Sequence, residues 1–214
     1  MTNHIITDGN ARFEKKVLLP QSKSHLVKCH LIYNGFKKQH NLNFVTSIYF
    51  DDIHLGNLRD NIDGNPQRTK LRARYYNNDF SNIRLELKYK DTYVGSKKIV
   101  KVRKEFCSNA EIIDFCTEWS KVNIVKYVHP TAIISYTREY FVKGSIRATV
   151  DYNVDGKRFA GKNQIRGAQH SYGVLEFKYE RNKEQEMRRL YTSLNLPVNR
   201  ITKSSKYANT LIRW

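Results

Sequence analysis

Short apolar runs with a charged residue at every second position recur along this chain. Examples are KLRAR at 70–74, RLELK at 84–88 and LEFKY at 175–179. Successive side chains of a β-strand point to opposite faces of its sheet, so each run has one apolar face and one charged face. Several such strands in one sheet would create a surface with many cations and a few carboxylates. Such a surface suits a polyanion that is bound together with a metal ion.

The net charge supports a phosphate-rich partner without identifying it. The 214 residues include 38 Lys and Arg against 20 Asp and Glu, a formal charge of +18. This excess repels itself in a compact chain unless anions lie nearby. A nucleotide, polyphosphate, a nucleic acid or an anionic membrane would each provide those anions.

The cysteines and the N-terminus indicate a cytoplasmic protein or the soluble part of something larger. Cys29, Cys107 and Cys116 are widely spaced and form no CxxC pair, so neither a zinc site nor a disulfide framework is predicted. A reducing compartment is therefore expected. Residues 1–10 are polar, lack the apolar core of a signal peptide and are expected to be a flexible N-terminus. No apolar run is long enough to span a membrane.

The pattern predicts one α+β domain over residues 1–214. Runs rich in Val, Ile, Tyr, Phe and Thr predict eight strands, at 12–19, 44–50, 68–77, 83–90, 97–106, 132–142, 145–153 and 172–180. Helices are predicted at 22–38, 112–120, 182–194 and 204–211. Leu26, Cys29 and Tyr33 are expected on the packing face of the first helix, and Cys116 is expected to be buried in the second.

The strand pattern predicts an eight-stranded antiparallel barrel, closed or nearly closed, with the helices packed outside. Alternation alone leaves open whether the charged faces line an interior tunnel or cover the exterior. The exterior is the commoner place for charged residues.

Eight motifs in order resemble the VTC domain, the polyphosphate polymerase domain of the CYTH, or triphosphate tunnel metalloenzyme, superfamily. They are RFEKK at 12–16, SIYFD at 47–51, KLRARY at 70–75, LELK at 85–88, REY at 138–140, IRATVD at 146–151, VLEFK at 174–178 and KSSKY at 203–207. The resemblance runs from about residue 10 to the C-terminus. It implies an eight-stranded antiparallel β tunnel whose charged faces point inward.

The resemblance also implies a set of site residues. The triphosphate clamp would be Lys16, Arg72, Arg74, Lys88, Lys98, Arg138 and Arg147. Lys97 and Lys101 compete with Lys98 for its role. Lys203 and Lys206 resemble a catalytic lysine pair on the C-terminal helix. Glu176 resembles a ligand of Mn²⁺ or Mg²⁺, and its structural alternative is a salt bridge with Lys178; further candidate ligands are Glu14, Glu86 and Asp151.

The implied reaction transfers the terminal phosphoryl group of ATP onto inorganic polyphosphate. Triphosphate-hydrolysing relatives begin with Glu-x-Glu-x-Lys, whereas this chain has Arg12 at the first acidic position, which favours a polymerase. The alternatives are a triphosphatase or nucleotidyl cyclase on the same tunnel, or a non-catalytic module that binds polyphosphate or nucleic acid. Interleaved carboxylates disfavour nucleic acid. The chain resembles a stand-alone version, so passing product across a membrane would require a separate membrane protein.

Overall fold

The computed structural model describes residues 5–7, 12–91, 94–102, 104–124, 128–160, 164–196 and 205–212. Lys203, one of the two predicted catalytic lysines, lies outside the described residues. Within the segment that was expected to be a flexible N-terminus, residues 5–7 form a short strand.

Eleven strands of the described residues form one sheet. They are β1 (Ile5–Thr7), β2 (Arg12–Pro20), β3 (Lys37–Lys38), β4 (Asn43–Asp51), β5 (Arg68–Tyr76), β6 (Ile83–Asp91), β7 (Val94–Val102), β8 (His129–Lys143), β9 (Ile146–Ala160), β10 (Gln164–Gln169) and β11 (Tyr172–Glu180). Eight of these correspond to the predicted strands. The short strands β1, β3 and β10 were not predicted, and β9 continues beyond its predicted end.

The sheet is antiparallel throughout, with the order β1-β7-β6-β5-β4-β8-β9-β11-β2. Strand β10 pairs with β9, and β3 pairs with β8. In the described residues no hydrogen bonds join the two ends of this order, so the predicted closed barrel is not confirmed. The sheet is nevertheless strongly curled, because Glu14 on β2 lies 3.8 Å from Lys88 on β6.

Five α-helices occur in the described ranges. They are α1 (Ser24–Tyr33), α2 (Gly56–Ile62), α3 (Asn109–Asn123), α4 (Glu184–Ser193) and α5 (Lys206–Ile212). None of them combines the length and the apolarity that a membrane crossing requires.

Two hydrophobic cores cover the outer face of the curled sheet. One core packs α1 and α4 against β2, β8, β9 and β11, with Val27, Met187 and Phe177 among its members. The other packs α3 against β4 to β7, with Cys116 and Leu85 fully or nearly fully buried. The apolar residues of the alternating runs supply both cores, so the charged residues of the same runs face the concave side.

The packing face predicted for α1 is wrong. Val27 and Leu31 are completely buried, whereas Leu26, Cys29 and Tyr33 are exposed. Both sets recur at helical spacing, but Val27 and Leu31 are the set that α1 turns toward the sheet. Cys116 is buried as predicted.

The expectation that all helices pack outside is also wrong, because α5 lies against the inner face. Tyr207 and Leu211 join a third core with Ala132, Ile134 and other inner-face residues. Gly156 permits the close approach, since a Cβ at this position would lie 2.4 Å from the Thr210 hydroxyl oxygen. The C-terminal helix therefore fills part of the concavity.

Helix α2 was not predicted from the sequence, and aspartates at the end of β4 hold its first turn. Asp51 accepts hydrogen bonds from the backbone N–H groups of Asn57 and Leu58, and from the Tyr207 hydroxyl. A buried carboxylate at a helix start satisfies donors that the helix itself leaves unpaired. Asp51 thereby joins β4, α2 and α5.

Candidate functional site

The concave side of the sheet encloses a cavity of about 420 Å³. Among the described residues that line it, ten are cations and three are carboxylates. The cations are Lys16, Arg68, Lys70, Arg72, Arg74, Arg84, Lys88, Arg138, Lys178 and Lys206, and the carboxylates are Glu14, Glu86 and Glu176. Such an excess of one sign in a recessed space concentrates anions there.

Arg72 and Arg74 point into the cavity from β5, as alternation with the buried residues Leu71 and Ala73 requires. Arg72 donates to Glu86 at 2.6 Å and to the Tyr49 hydroxyl at 3.1 Å. Burial disfavours its charge and lowers its pKa, but Glu86 and Tyr49 hold that pKa above the ordinary value. The Arg72 guanidinium group is thus fixed in place before any ligand enters.

Arg74 is almost completely buried and bonds to neutral partners. It donates to the Ser47 hydroxyl at 3.0 Å and to the Tyr136 hydroxyl at 3.1 Å. Burial lowers its pKa, yet nearby Tyr136 and Glu86 bring the net shift upward, so the guanidinium remains charged. A charged group held by hydroxyls keeps most of its electrostatic attraction for an incoming anion.

Two carboxylates and two lysines form a cluster on β2 and β11. Glu14 lies 3.4 Å from Lys16 and 3.3 Å from Lys178, and Glu176 lies 3.8 and 3.2 Å from the same two ammonium groups. Burial raises the pKa of Glu176, but Lys16 and Lys178 outweigh it and hold that pKa well below the usual range. The same lysines, together with Lys88, lower the pKa of Glu14 against the effects of burial and of Glu176. Both groups are therefore carboxylates.

Asp151 is completely buried and binds two of the predicted site cations. Its Oδ1 accepts from Arg138 Nε at 2.6 Å, and its Oδ2 accepts from Arg138 Nη2 at 2.8 Å and from Lys206 Nζ at 2.5 Å. Burial raises the pKa of Asp151, and the two cations lower it further than burial raises it. Asp151 was a candidate metal ligand, but the structure shows an anchor for Arg138 and Lys206.

Glu14 and Glu176 are the carboxylates that fit a divalent metal ion best. Mg²⁺ and Mn²⁺ favour carboxylate oxygens and are often held by one or two carboxylates together with phosphate oxygens of the substrate. Glu86 and Asp151 fit less well, because arginines bind them directly. The described residues contain no group of three or more His, Cys, Asp or Glu that could hold a metal without a substrate.

The structure places two predicted clamp residues away from this cavity. Lys98 pairs with Leu87 across β6 and β7, and it shares the outer face with Val100 and Val102. This orientation corrects the choice among the neighbouring lysines, because Lys101, opposite the cavity residue Arg84, is on the inner face. Arg147 shares the inner face with Asp151 but is exposed, and it is not among the described residues that line the cavity.

Sequence reasoning did not assign several cavity residues. Lys70, Arg84 and Lys178 lie in the alternating runs, and their phase relative to Arg72, Glu86 and Glu176 could have identified them. Tyr49 and Tyr136 were also missed, although Tyr136 lies two residues before Arg138 and Tyr49 two residues before Asp51 on the same strand faces.

Comparisons with known proteins agree with this geometry. A family model, the VTC domain, matches residues 11–214. Curated protein sequences gave no significant match.

Solved structures share the fold at low sequence identity. PH1012 from Pyrococcus horikoshii OT3 has a TM-score of 0.56 and 13% identity over 92% of this chain and 98% of its own. A candidate adenylate cyclase from Bacillus halodurans has a TM-score of 0.54 and 13% identity, over 89% and 93%. HpAC1 from Hippeastrum, a candidate adenylyl cyclase with a dominant triphosphatase activity, has a TM-score of 0.53 and 13% identity, over 94% and 95%. At this identity the likeness shows the fold alone.

Proposed function

Since the chain belongs to the VTC domain family, we propose that it is a polyphosphate polymerase. It transfers the terminal phosphoryl group of ATP onto a growing inorganic polyphosphate chain in the cavity of the curled sheet. The observation that carries this proposal is the lining of the cavity, where ten cations face three carboxylates among the described residues. A triphosphate and a polyphosphate end are both dense polyanions, so one site must supply cations to two ligands at once.

The reaction needs positioning and charge stabilisation more than protein chemistry. A terminal oxygen of the acceptor chain attacks the γ-phosphorus of ATP. The bond from that phosphorus to the β–γ bridging oxygen breaks, ADP leaves, and the acceptor is longer by one phosphate. No protein nucleophile takes part.

The arginines would orient the phosphates, and the lysines would keep contact with the polyphosphate product as it moves through the cavity. Arg72, Arg74 and Arg138 have planar guanidinium groups that can donate two parallel hydrogen bonds to a phosphate. Each is already fixed by protein partners, so little reorganisation is needed when charge develops. Lys16, Lys88 and Lys178 are mobile point charges that can pass from one phosphate to the next.

Lys206 is the residue we assign to the reacting phosphate. Its ammonium lies 4.5 Å from the centre of the Tyr136 ring, with Arg138 on the same ring at 5.2 Å. Asp151 holds both cations, so they converge on one place in the cavity. By family resemblance, Lys203 is the second lysine to which we assign a catalytic role.

Glu14 and Glu176 would hold the divalent metal ion. When bound, the metal would neutralise charge on the phosphate oxygens and help orient them. Lys16 and Lys178 neutralise these carboxylates in the structure. A metal on the carboxylates would leave both lysines available for phosphate.

A triphosphatase is the second candidate, because the same cavity would serve if water replaced the acceptor chain. The Glu14–Glu176 pair supports it, since a carboxylate pair is what a metal-dependent hydrolase needs. HpAC1, which shares this fold, has a dominant triphosphatase activity, and that supports the second candidate. A nucleotidyl cyclase would use the cavity as well.

Product analysis separates these reactions. The protein is incubated with ATP and Mn²⁺ or Mg²⁺, and the products are resolved on a gel stained for polyphosphate and by nucleotide chromatography. The proposal predicts a polyphosphate ladder with ADP. Orthophosphate with ADP but no ladder would indicate a triphosphatase, cyclic nucleotide would indicate a cyclase, and unchanged ATP would contradict the polymerase and the cyclase.

ATP, polyphosphate and the free thiols fit a cytoplasmic location. ATP is the substrate, and Cys29 and Cys107 are both exposed and unpaired, as a reducing compartment allows. Delivery of product across a membrane would then require a separate membrane protein. Nucleic acid is a poor fit, because the phosphate-binding groups lie in a recess.

A further inference from the structure

The cations of the cavity differ in whether a carboxylate neutralises them. Lys16, Lys88 and Lys178 contact Glu14, while Arg72 contacts Glu86. Asp151 binds Arg138 and Lys206. Lys70, like Arg74, has no carboxylate among its ionic and hydrogen-bonded contacts within the described ranges, and Arg74 is already assigned to the phosphate clamp.

Lys70 lies in the cavity wall among neutral and cationic groups. Its ammonium donates to the Ser205 hydroxyl at 2.9 Å. The same nitrogen lies 5.1 Å from the ring centre of Tyr49 and 4.8 Å from that of Tyr207. Ser205 and Tyr207 flank Lys206, the residue assigned to the reacting phosphate. Lys70 therefore connects β5 to the start of α5.

The surroundings of Lys70 make its charge unfavourable without a ligand. Burial and the neighbouring Arg72, Lys16 and Lys88 lower its pKa to about 8, against the effect of Tyr49. Burial alone would raise the pKa of Tyr49, but Arg72, Lys70 and Arg74 bring it down to about 7. A lysine and a tyrosine in one cavity thus both favour their deprotonated forms more than usual.

The missing counter-charge of Lys70 is what a phosphate ligand would provide. A cation removed from bulk water without an anionic partner is costly. Ser205 and the two aromatic rings offset only part of that cost. An incoming polyanion would pair with the ammonium directly, and its potential would raise the pKa values of both Lys70 and Tyr49.

We propose that Lys70 is a further phosphate-binding residue of this cavity and that its site takes up a proton when a triphosphate enters. This inference rests on the proposed function only in requiring that a triphosphate binds in the cavity. It does not depend on whether the reaction that follows is polymerisation or hydrolysis. Proton uptake would make substrate binding weaken as the pH rises above about 8, as linkage requires.

Calorimetric titration with inorganic tripolyphosphate tests the inference. Titrations at pH 8 in two buffers of different ionisation enthalpy give both the affinity and the number of protons exchanged. Protons that tripolyphosphate itself exchanges contribute to every titration, so the difference between variants reports the protein. We expect Lys70→Met to take up about half a proton less than the wild type, because a group with a pKa of about 8 is half-protonated at pH 8.

Affinity provides the second readout. Lys70→Met should bind tripolyphosphate at least about tenfold more weakly, the scale of one charge-assisted hydrogen bond. Lys70→Arg keeps the charge, so it should retain most of the affinity while taking up fewer protons than the wild type. Lys157→Met is the matched control, because it removes an exposed strand lysine outside the cavity; it should match the wild type in both readouts.

Stability separates binding from folding. Without phosphate, Lys70→Met should melt at or above the wild-type temperature, because it removes a cation that no described carboxylate pairs. Wild-type affinity and proton uptake in Lys70→Met would overturn the role of Lys70 alone. Failure of the wild-type protein to bind tripolyphosphate would overturn both this inference and the proposed phosphate site.

Discussion

Lys206 on α5 donates a hydrogen bond to Asp151 on β9 at 2.5 Å, across 55 positions of sequence. This contact fixes the start of the C-terminal helix inside the concavity of the sheet. The same carboxylate binds Arg138 through both oxygens. A single buried group thus sets the position of two cations that face the cavity, one from a strand and one from a helix.

Replacing Asp151 with Asn should destabilise the protein and disturb the site. The change keeps the side-chain shape but removes the charge, which leaves Arg138 and Lys206 without their anion. We expect a loss of about 3 kcal/mol in the free energy of unfolding, the scale for breaking a buried ion pair. Urea denaturation measures it. Asp155→Asn is the control, because Asp155 lies on the same strand in an exposed ion pair with Lys157; equal losses in the two variants would contradict the anchoring role.

Lys206→Ala should abolish turnover while nucleotide binding persists. The ammonium is expected to stabilise charge that develops on the transferred phosphate, so its loss raises the barrier more than it weakens the ground state. The comparison is between kcat and the Kd for a non-hydrolysable ATP analogue. A parallel fall in both quantities would assign Lys206 to substrate binding instead.

Arg72→Ala should weaken nucleotide binding itself, by about ten- to a hundredfold, because one or two charged hydrogen bonds to phosphate are lost. Glu86 would lose its partner at the same time, so the variant is best made together with Glu86→Gln. Glu86→Gln alone is the control. Binding and activity that survive the double change would show that β5 does not form the phosphate site.

Glu176→Gln should weaken the binding of Mn²⁺ in the presence of tripolyphosphate. One of the two clustered carboxylates would lose its charge, while Lys16 and Lys178 remain. Electron paramagnetic resonance of free Mn²⁺ gives the metal affinity without any need for activity. Glu180→Gln, at the end of the same strand and exposed, should leave it unchanged. Unaltered Mn²⁺ affinity in Glu176→Gln would indicate that other residues bind the metal.

The outer face contains an acid-sensitive ion pair that is independent of the cavity. Glu139 binds Lys28 at 2.6 Å and Lys38 at 2.8 Å. Burial raises its pKa, but these partners and the Tyr152 hydroxyl lower it to about 2. The unfolded chain therefore takes up a proton at a higher pH than the folded chain, so this stabilisation is present above about pH 5 and disappears as the pH falls toward 2.

Thermal unfolding of Glu139→Gln from pH 7 to pH 2 checks the direction of this pH dependence. The variant should have a lower melting temperature than the wild type at neutral pH, and the difference between the two should become smaller as the pH falls. Glu118→Gln removes an exposed carboxylate that pairs with Lys121, and it should show little difference at any pH. A difference in melting temperature that becomes larger in acid would contradict the stabilising role of the Glu139 ion pairs.

Alternation in the sequence was sufficient to place most of the cavity cations. Arg72, Arg74 and Glu176 sit between residues that are buried on the outer face, so their orientation followed once the inner face was known. Alternation alone could not determine on which face of the sheet Lys98 lies. This residue has lysine neighbours at 97 and 101, and a choice that differs by one residue moves a side chain to the opposite face. Only the register with Leu87 decides it.

Other features depend on contacts that the alternation of the strands does not mark. The first turn of α2 is capped by Asp51 at the end of a strand, and Gly56 leaves room there for the Asp52 carboxylate, which would lie 2.7 Å from a Cβ. The placement of α5 inside the sheet depends on Gly156 and Asp151. The contact between Asp151 and Lys206 joins residues 55 positions apart, so the sequence predicted the helix over 204–211 but not the side of the sheet on which it packs.

A crystal structure of the protein with tripolyphosphate and Mn²⁺ would locate the phosphates in the fold. We expect them on the concave side of the sheet, within hydrogen-bonding distance of Arg72, Arg74 and Arg138, with the metal near Glu14 and Glu176. Phosphates bound only to lysines of the outer surface, with the cavity holding nothing but water, would contradict this expectation.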